Sequence, residues 1–271
     1  MRKLSLLVTT ELLFIALLAP TAEAAPPLPK RMAAIGDSIT RAANVCCWYG
    51  DRPRHSWSTG GASSDGIRSH YERILAAQPA IQGHNYNNAR SGARMSDAPA
   101  QASRAVDQEA RYVTILMGAN DVCTSSPSAM TSPASFRADF ESAMQVLDSG
   151  LSRNARIFVS SIPNIYRLWE VLHTKWLARA TWSTFDICQS MLDSDRTEAQ
   201  RQAVLDRERV FNQILADVCS RYARCRFDGN AVFNYQFTAD MVSTLDYFHP
   251  DREGQAVLAR VTWARSWWAT P

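Results

Sequence analysis

Two short runs of β-forming residues constrain most strongly what this chain can fold into. Tyr112–Met117 and Arg156–Ser160 are nearly continuous in apolar and β-branched side chains, without the alternation of a strand that has one face in water. Such runs are typical of a parallel sheet that is covered on both faces. Shorter strand candidates lie at Met32–Gly36, Asn85–Ala89 and Cys225–Phe227. The sequence therefore predicts about five mostly parallel strands.

Longer segments with helical periodicity separate these strands. Apolar residues recur at the spacing of one helix face in Ser69–Gln78, Ala134–Leu151, Glu198–Tyr222 and Gln255–Trp268. Parallel neighbours need a crossover connection, which a helix usually supplies, so this alternation favours an α/β fold. We expect a three-layer α/β/α sandwich without an internal repeat or an interdomain linker.

The composition excludes several classes of protein. The 271 residues are 46% hydrophobic and 20% charged, which is unlike a disordered or collagen-like chain. There are 29 Lys and Arg residues against 26 Asp and Glu residues, and the basic residues are scattered rather than clustered. The net charge of +3 therefore predicts no nucleic-acid partner.

The first 24 residues have the pattern of an export signal. Two basic residues precede the mostly apolar stretch Leu4–Leu18, and residues 22–24 form an A-x-A cleavage site. Glu11 opposes insertion of this stretch, and about 15 apolar residues are fewer than the ~20 that a membrane span needs. We therefore expect cleavage after Ala24 and a secreted protein in which residues 25–271 form a single domain.

Export favours disulfide bonds among the six cysteines. These are Cys46, Cys47, Cys123, Cys188, Cys219 and Cys225. Their spacing lacks the paired C-x-x-C units of a zinc site. Cys219 and Cys225 are close enough to bridge one short loop, and we expect that pair. Adjacent Cys46 and Cys47 are each expected to find a distant partner, which leaves Cys123 and Cys188 as candidates.

The first of four short motifs is Gly36-Asp37-Ser38-Ile39, directly after the first predicted strand. A serine on a tight turn between a strand and a helix presents its hydroxyl outward, and the turn leaves backbone N–H groups that can face an oxyanion. By itself the motif is ordinary turn composition. Ser38 is nevertheless a candidate nucleophile, because of its position at a strand end.

Two further motifs follow the second and third strands. In Asn87–Gly92, the glycine would let its backbone N–H approach a substrate closely. In Gly118-Ala119-Asn120-Asp121, the Asn120 side chain is a neutral donor that can stabilise a developing oxyanion. Each motif alone is equally typical of a simple turn.

The fourth motif is Asp246-Tyr247-Phe248-His249-Pro250. Three-residue spacing on a turn can place a carboxylate against the ring of the following histidine and leave the other ring nitrogen free as a base. The chain's other four histidines have no comparable partner in the sequence, so we expect them at the surface or in structural roles.

Taken in order, the G-D-S-I, S-G, G-A-N-D and D-x-x-H-P motifs resemble the SGNH (GDSL-type) hydrolase family, with Ile39 where leucine is usual. The resemblance implies a flavodoxin-like domain with Ser38 as nucleophile, His249 as base and Asp246 as the acid that orients it. It also implies an oxyanion hole made of the Ser38 and Gly92 backbone N–H groups and the Asn120 side chain, with no metal or organic cofactor.

The substrate class rests on weaker signals. The stretch V-T-I-L-M-G-A-N-D-V-C is similar to the phospholipase-B-like branch of the family, which favours a lipid or acyl ester and a transient contact with a lipid interface. Aromatic residues after the nucleophile and in a predicted insert around residues 165–195 could bind an acyl chain, a sugar ring or simply pack. Candidates for substrate contacts are Trp48, Trp57, Trp169 and Trp176. A carbohydrate O-acetylesterase and a non-catalytic extracellular binding protein are the alternatives.

Overall fold

A computed structural model describes residues 25–269 of the chain. One sheet contains β1 (Met32–Gly36), β2 (Asn85–Asn87), β3 (Tyr112–Leu116), β4 (Arg156–Val159) and β5 (Cys225–Phe227). Its order is β2-β1-β3-β4-β5, and every pairing is parallel. The predicted five-stranded parallel sheet is therefore confirmed. The predicted export signal, residues 1–24, lies outside the described residues.

Between residues 25 and 269, nine helices accompany the sheet. They are α1 (His70–Ala77), α2 (Ala98–Asp107), α3 (Ala119–Val122), α4 (Pro133–Gly150), α5 (Ile165–Leu172), α6 (Trp176–Thr184), α7 (Gln189–Leu192), α8 (Glu198–Ser220) and α9 (Arg252–Trp263). In this part of the chain, no helix has the length and apolar character needed to cross a membrane.

Helix α2 was not predicted from the sequence, and α9 ends before the predicted Trp268. The buried face of α2 carries the small residues Ala98, Ala102 and Ala105, which give little of the large-apolar periodicity that marks an amphipathic helix. The starts of α1 and α8 are well defined, because Ser69 and Thr197 each form a capping box there.

Alternate strand residues pack against two helical layers. Val113, Ile115 and Ile157 point to one face, where α2, α4 and α8 contribute much of the larger hydrophobic core. Met32 and Tyr112 point to the opposite face, where α1 and the chain after α9 cover them. The three-layer α/β/α sandwich is thereby confirmed.

Two disulfides join described cysteines. The predicted Cys219–Cys225 bond is present, and the second joins Cys123 to Cys188. The expectation that the adjacent cysteines pair with distant partners was wrong, since Cys123 and Cys188 bind each other and Cys46 and Cys47 lie side by side. Cys123 ends α3 and Cys188 precedes α7, with their Cα atoms 4.2 Å apart. This proximity depends on helix placement, which cysteine spacing does not encode.

Candidate active site

The candidate site lies where the direction of the sheet connections changes. Strands β1 and β3 are neighbours, but β2 continues to one side of them and β4 to the other. Ligands of open α/β sheets bind in the crevice at such a point, outside the carboxyl ends of the strands. Ser38 follows β1 and Asn120 follows β3, and the register of Gly36 with Leu116 ends both strands at the same level.

Ser38 occupies a tight turn that the sequence around it requires. A Cβ atom on Gly36 would lie 2.7 Å from the backbone oxygen of Leu116, so the end of β1 has no room for a larger residue. The Ile39 backbone N–H donates to Asp37 Oδ1 over 2.9 Å, which closes the turn. Ser38 is mostly buried, but its hydroxyl reaches the cleft described below.

His249 connects Ser38 to a carboxylate. Its Nε2 lies 2.7 Å from Ser38 Oγ, and its Nδ1 lies 2.6 Å from Asp246 Oδ2. The other carboxylate oxygen of Asp246 accepts the backbone N–H groups of Phe248 and His249. Tyr247 adopts a left-handed φ of 56°, which folds this segment back on itself. Because a carboxylate can only accept, Nδ1 carries the proton and Nε2 faces the serine as an acceptor.

Asn44 gives Asp246 a further hydrogen bond, which the sequence motifs did not reveal. Its side-chain amide donates to Asp246 Oδ2 over 2.6 Å. Burial by itself would raise the pKa of Asp246, but the hydrogen bond and charge of His249 and the Asn44 amide together lower it. Asp246 is therefore held as a carboxylate that can stabilise a charged imidazole ring.

Three hydrogen-bond donors line the same cleft as the Ser38 hydroxyl: two backbone N–H groups and one side-chain amide. Within residues 25–269, the N–H groups of Ser38 and Gly92 have no protein acceptor. Asn120 Nδ2 donates one hydrogen to Ala93 O over 2.9 Å and has a second hydrogen to offer. Gly92 has a φ of 79°, and open space lies where a Cβ would be.

Two buried acids are the sequence neighbours of Ser38 and Asn120. Asp37 is completely buried, and burial raises its pKa to about 7. Burial likewise raises the pKa of Asp121 to about 6, and its Oδ2 accepts the Met95 backbone N–H over 2.9 Å. Asp121 thereby ties the segment after β3 to the segment that follows Gly92.

The site opens into a cleft with polar and aromatic side chains and adjoins a separate, more apolar cavity. The cleft, of about 610 Å³, has aromatic walls at Tyr49, Phe185 and Phe248. The cavity, of about 70 Å³, is lined mostly by apolar side chains, and Phe248 borders both spaces. Ile39 and Ala119, which also line the cavity, are the sequence neighbours of Ser38 and Asn120.

The four tryptophans predicted to contact a substrate lie elsewhere. Trp57 is completely buried and its indole N–H donates to Thr40 Oγ1, so its predicted exposure to a substrate was wrong. Trp169 packs within the segment after β4, with the Arg201 guanidinium 3.6 Å from its ring centroid. Trp48 and Trp176 are 75% and 67% exposed at the surface, and Trp176 lines a different groove.

One other histidine does have a carboxylate partner. His55 Nδ1 lies 2.6 Å from Asp65 Oδ2, and both side chains are buried, contrary to the expectation from sequence. His70 is buried between the Tyr112 and Thr262 hydroxyls, which agrees with a structural role.

In residues 25–269 there is no cluster of three or more His, Cys, Asp or Glu side chains suited to a metal ion.

Most of the chain is similar to known proteins, in sequence pattern and in fold. The sequence pattern of the GDSL-like lipase/acylhydrolase family matches residues 32–261. No curated protein sequence matches the chain. The acetyl xylan esterase AlAXEase is similar in structure, with a TM-score of 0.52 and 14% identity over 86% of this chain and 98% of that one. A protein from Parabacteroides merdae described as a GDSL-like lipase has a TM-score of 0.50 and 15% identity, over 90% and 97%. At these identities the likeness is one of fold.

Proposed function

The chain belongs to the GDSL-like lipase/acylhydrolase family and is a carboxylic-ester hydrolase, and we propose that Ser38, His249 and Asp246 are its catalytic triad. The observation that carries the proposal is the continuous line of contacts from Ser38 Oγ through the His249 ring to Asp246, at 2.7 Å and 2.6 Å. These distances lie within hydrogen-bond reach, as proton transfer between a nucleophile and its base requires.

In the proposed mechanism, His249 Nε2 takes the proton of Ser38 as the serine oxygen attacks the ester carbonyl. Asp246 stabilises the imidazolium that forms and keeps Nδ1 protonated. The imidazolium then gives its proton to the leaving alcohol, and an acyl group remains on Ser38. Water attacks this acyl-enzyme with the same base, releases the acid and restores the serine.

The proposed oxyanion hole consists of the Ser38 and Gly92 backbone N–H groups and the Asn120 amide. The positive φ of Gly92 and the space at its Cβ position support this role, because a side chain there would project into open space that a substrate can occupy. The bond from Asn120 to Ala93 O fixes the amide in advance of the reaction, and preorganised donors of this kind stabilise the charge that develops.

The proposed substrate is a lipid or other acyl ester whose acyl chain enters the apolar cavity beside the triad. Leu168 and Val171 of α5 and Phe237 form walls of this cavity. Helix α5 belongs to the segment around residues 165–195, which we regard as an insert in a single domain. Apolar walls with few polar atoms select for a hydrocarbon chain.

A carbohydrate O-acetylesterase is the second candidate, because the outer cleft has a different character. Asp51, Ser91 and Asp186 line it together with the aromatic rings of Tyr49 and Phe185. Carboxylates and aromatic faces suit a sugar ring, and an acetyl group would need little of the apolar cavity. Both candidates use the same triad and differ in the acyl group that they accept.

The experiment that tests this function compares p-nitrophenyl esters of rising chain length and phospholipids with acetylated xylan. The proposal predicts turnover of esters with medium-length or longer acyl chains and little activity on xylan. Activity on acetyl groups alone would support the carbohydrate alternative. Ser38→Ala is the control and should lower kcat by roughly 10⁶-fold, whereas wild-type turnover by this variant would contradict the triad.

We also propose that the protein is exported. The two disulfides support this, since such bonds persist mainly in oxidising compartments. N-terminal sequencing of protein recovered from the medium of the producing cells should begin at Ala25. Retention of the first 24 residues in that protein would contradict cleavage at the proposed site.

A further inference from the structure

The side chains of Cys46 and Cys47 lie together at the edge of the site. Cys46 Sγ and Cys47 Sγ are 2.7 Å apart, well inside the contact distance of two sulfur atoms that are not bonded. Cys47 is exposed and adopts a left-handed φ of 69°, an uncommon conformation for a residue other than glycine. The chain therefore turns at this point in a way that brings two adjacent sulfur atoms face to face.

A cation accompanies the sulfur pair. The Arg252 guanidinium at the start of α9 lies 3.3 Å from Cys46 Sγ and 3.7 Å from Cys47 Sγ. The hydrogen bond with Cys46 lowers the pKa of the Cys47 thiol, and the charges of Arg252 and Arg52 act in the same direction. A thiol that is exposed and more readily ionised is the one that attacks an external disulfide.

The same loop supports the proposed catalytic acid. The Asn44 backbone N–H donates to Gly50 O, and the Gly50 N–H donates back to Asn44 Oδ1, so the loop is closed at its base. The Asn44 amide then reaches Asp246, and the Tyr49 hydroxyl donates to Leu245 O over 2.7 Å. Cys46 and Cys47 lie between these two points of attachment.

We propose that Cys46 and Cys47 are joined as a vicinal disulfide, which stiffens the loop that holds Asn44 against Asp246. The existence of the bond does not depend on the proposed function. Its effect on turnover does, because that effect rests on Asp246 as the catalytic acid.

The bond forms by thiol–disulfide exchange with an external disulfide, either a small molecule or a protein oxidant. The Cys47 thiolate attacks one sulfur of that disulfide, and the first external thiol leaves. The Cys46 thiolate then attacks the Cys47 sulfur, and the second external thiol leaves. In total the two cysteine thiols lose two protons and two electrons, and the external disulfide is reduced to two thiols.

Covalent geometry makes this bond easier to reduce than the other two. Adjacent Cα atoms are about 3.8 Å apart across a trans peptide, which is shorter than the ~4.4 Å at the lower end of ordinary disulfides and shorter than the 4.2 Å and 5.4 Å of the other two bonds. The resulting strain favours reduction. The exposed position of Cys47 also admits a reductant. Increasing amounts of reductant should therefore open the Cys46–Cys47 bond before Cys123–Cys188 and Cys219–Cys225.

Alkylation followed by mass spectrometry tests the bond itself. Protein from an oxidising compartment is denatured without reductant, treated with N-ethylmaleimide and digested with trypsin. Residues 42–54 form one peptide, because Pro53 blocks cleavage after Arg52. The proposal predicts this peptide without adducts and two hydrogens lighter than its dithiol form. Two adducts, or a cross-link of this peptide to another one, would overturn it.

Enzyme kinetics test whether the disulfide helps the loop to hold Asn44 against Asp246. The double variant Cys46→Ser/Cys47→Ser should lower kcat for a p-nitrophenyl ester several-fold with little change in KM, since binding is not altered. Wild-type protein under mild reductant should show the same fall and recover on reoxidation. Cys219→Ser/Cys225→Ser, which removes a disulfide at the start of β5, is the matched control and should keep its kcat. If mass spectrometry shows the bond in the wild type but kcat is unchanged in the first variant, the bond exists and its proposed effect on turnover is overturned.

Discussion

At the scale of single residues, Asp37 is a buried carboxyl group next to the nucleophile in the sequence, and its ionisation affects the stability of the fold. Its Oδ1 accepts the Ile39 N–H, whereas its Oδ2 has no partner among residues 25–269. Burial raises its pKa to about 7, although the hydrogen bond from Ile39 and the charge of His249 act in the opposite direction. The folded protein therefore keeps this carboxyl group protonated over a pH range in which the unfolded chain has lost the proton.

This difference predicts how stability changes with pH. With a folded pKa of about 7 against an ordinary 3.8, the free energy of unfolding should decrease as pH rises from about 4 to about 7 and level off above that. Asp37→Asn keeps the acceptor for Ile39 but does not titrate. Its stability relative to wild type should therefore increase over the same range, as measured by urea unfolding at several pH values.

The control for this measurement is Asp107→Asn, at an exposed position at the end of α2. Its stability relative to wild type should change little between pH 4 and pH 7. If Asp37→Asn followed the same flat course, Asp37 would not be the protonated group that we describe.

The five residues assigned to the site from sequence line one cleft in the structure, and each of them belongs to a short sequence motif. Ser38 and Asn120, for example, follow β1 and β3 directly. Asn44 could not be found in this way, since it belongs to no motif and meets Asp246 across 202 residues of sequence. The expectation for Trp57 failed because aromatic composition does not distinguish a core residue from a residue that binds a substrate.

At the scale of elements, α8 positions the wall of the apolar cavity. The buried Glu208 accepts the Ile165 N–H at the start of α5, and Asn212 accepts the Ile162 N–H just before it. Burial raises the pKa of Glu208 well above its ordinary value, so it holds α5 without introducing a charge. The first turn of α5 and its cavity-lining side chains are therefore fixed from behind by α8.

This arrangement predicts that a larger side chain on α5 changes chain-length selectivity. Leu168→Trp fills part of the cavity, so kcat/KM for an octanoyl ester should fall by roughly tenfold or more, while the acetyl ester changes little. The ratio of the two kcat/KM values is the measurement. Leu177→Trp, on the exposed side of α6, is the matched control and should leave the ratio unchanged.

An equal loss on both esters would contradict the role of this cavity in acyl binding. A melting temperature for each variant separates that result from a loss of folded protein, because overpacking a core costs about 1–3 kcal/mol.

At the scale of the whole molecule, the sheet can be predicted from the sequence, whereas features that depend on how the helices pack cannot. Runs such as Tyr112–Leu116 predict the sheet because continuous burial leaves a direct trace in the sequence. Pairing of Cys123 with Cys188 leaves no such trace, since it depends on how α7 packs near α3 after the sheet has formed. The same holds for the apolar cavity, whose walls come from α5 and from the segment that precedes α9.

The Cys123–Cys188 bond closes a loop with a sequence separation of 65 residues, against 6 for Cys219–Cys225. Loss of the longer cross-link should release more entropy in the unfolded chain. Cys123→Ala/Cys188→Ala should therefore lower the free energy of unfolding by roughly 2–5 kcal/mol. Cys219→Ala/Cys225→Ala should cost less in the same urea titration. The reverse order would mean that strain or local packing, rather than loop length, governs these bonds.

Labelling with a fluorophosphonate, which reacts with a serine that a neighbouring base activates, tests the proposed triad most directly. We expect one adduct per chain in the wild type, on Ser38 in the tryptic peptide of residues 32–41, and none in His249→Ala. Either an unlabelled wild-type protein, as expected of a non-catalytic binding protein, or full labelling of His249→Ala would contradict a nucleophile at Ser38 activated by His249.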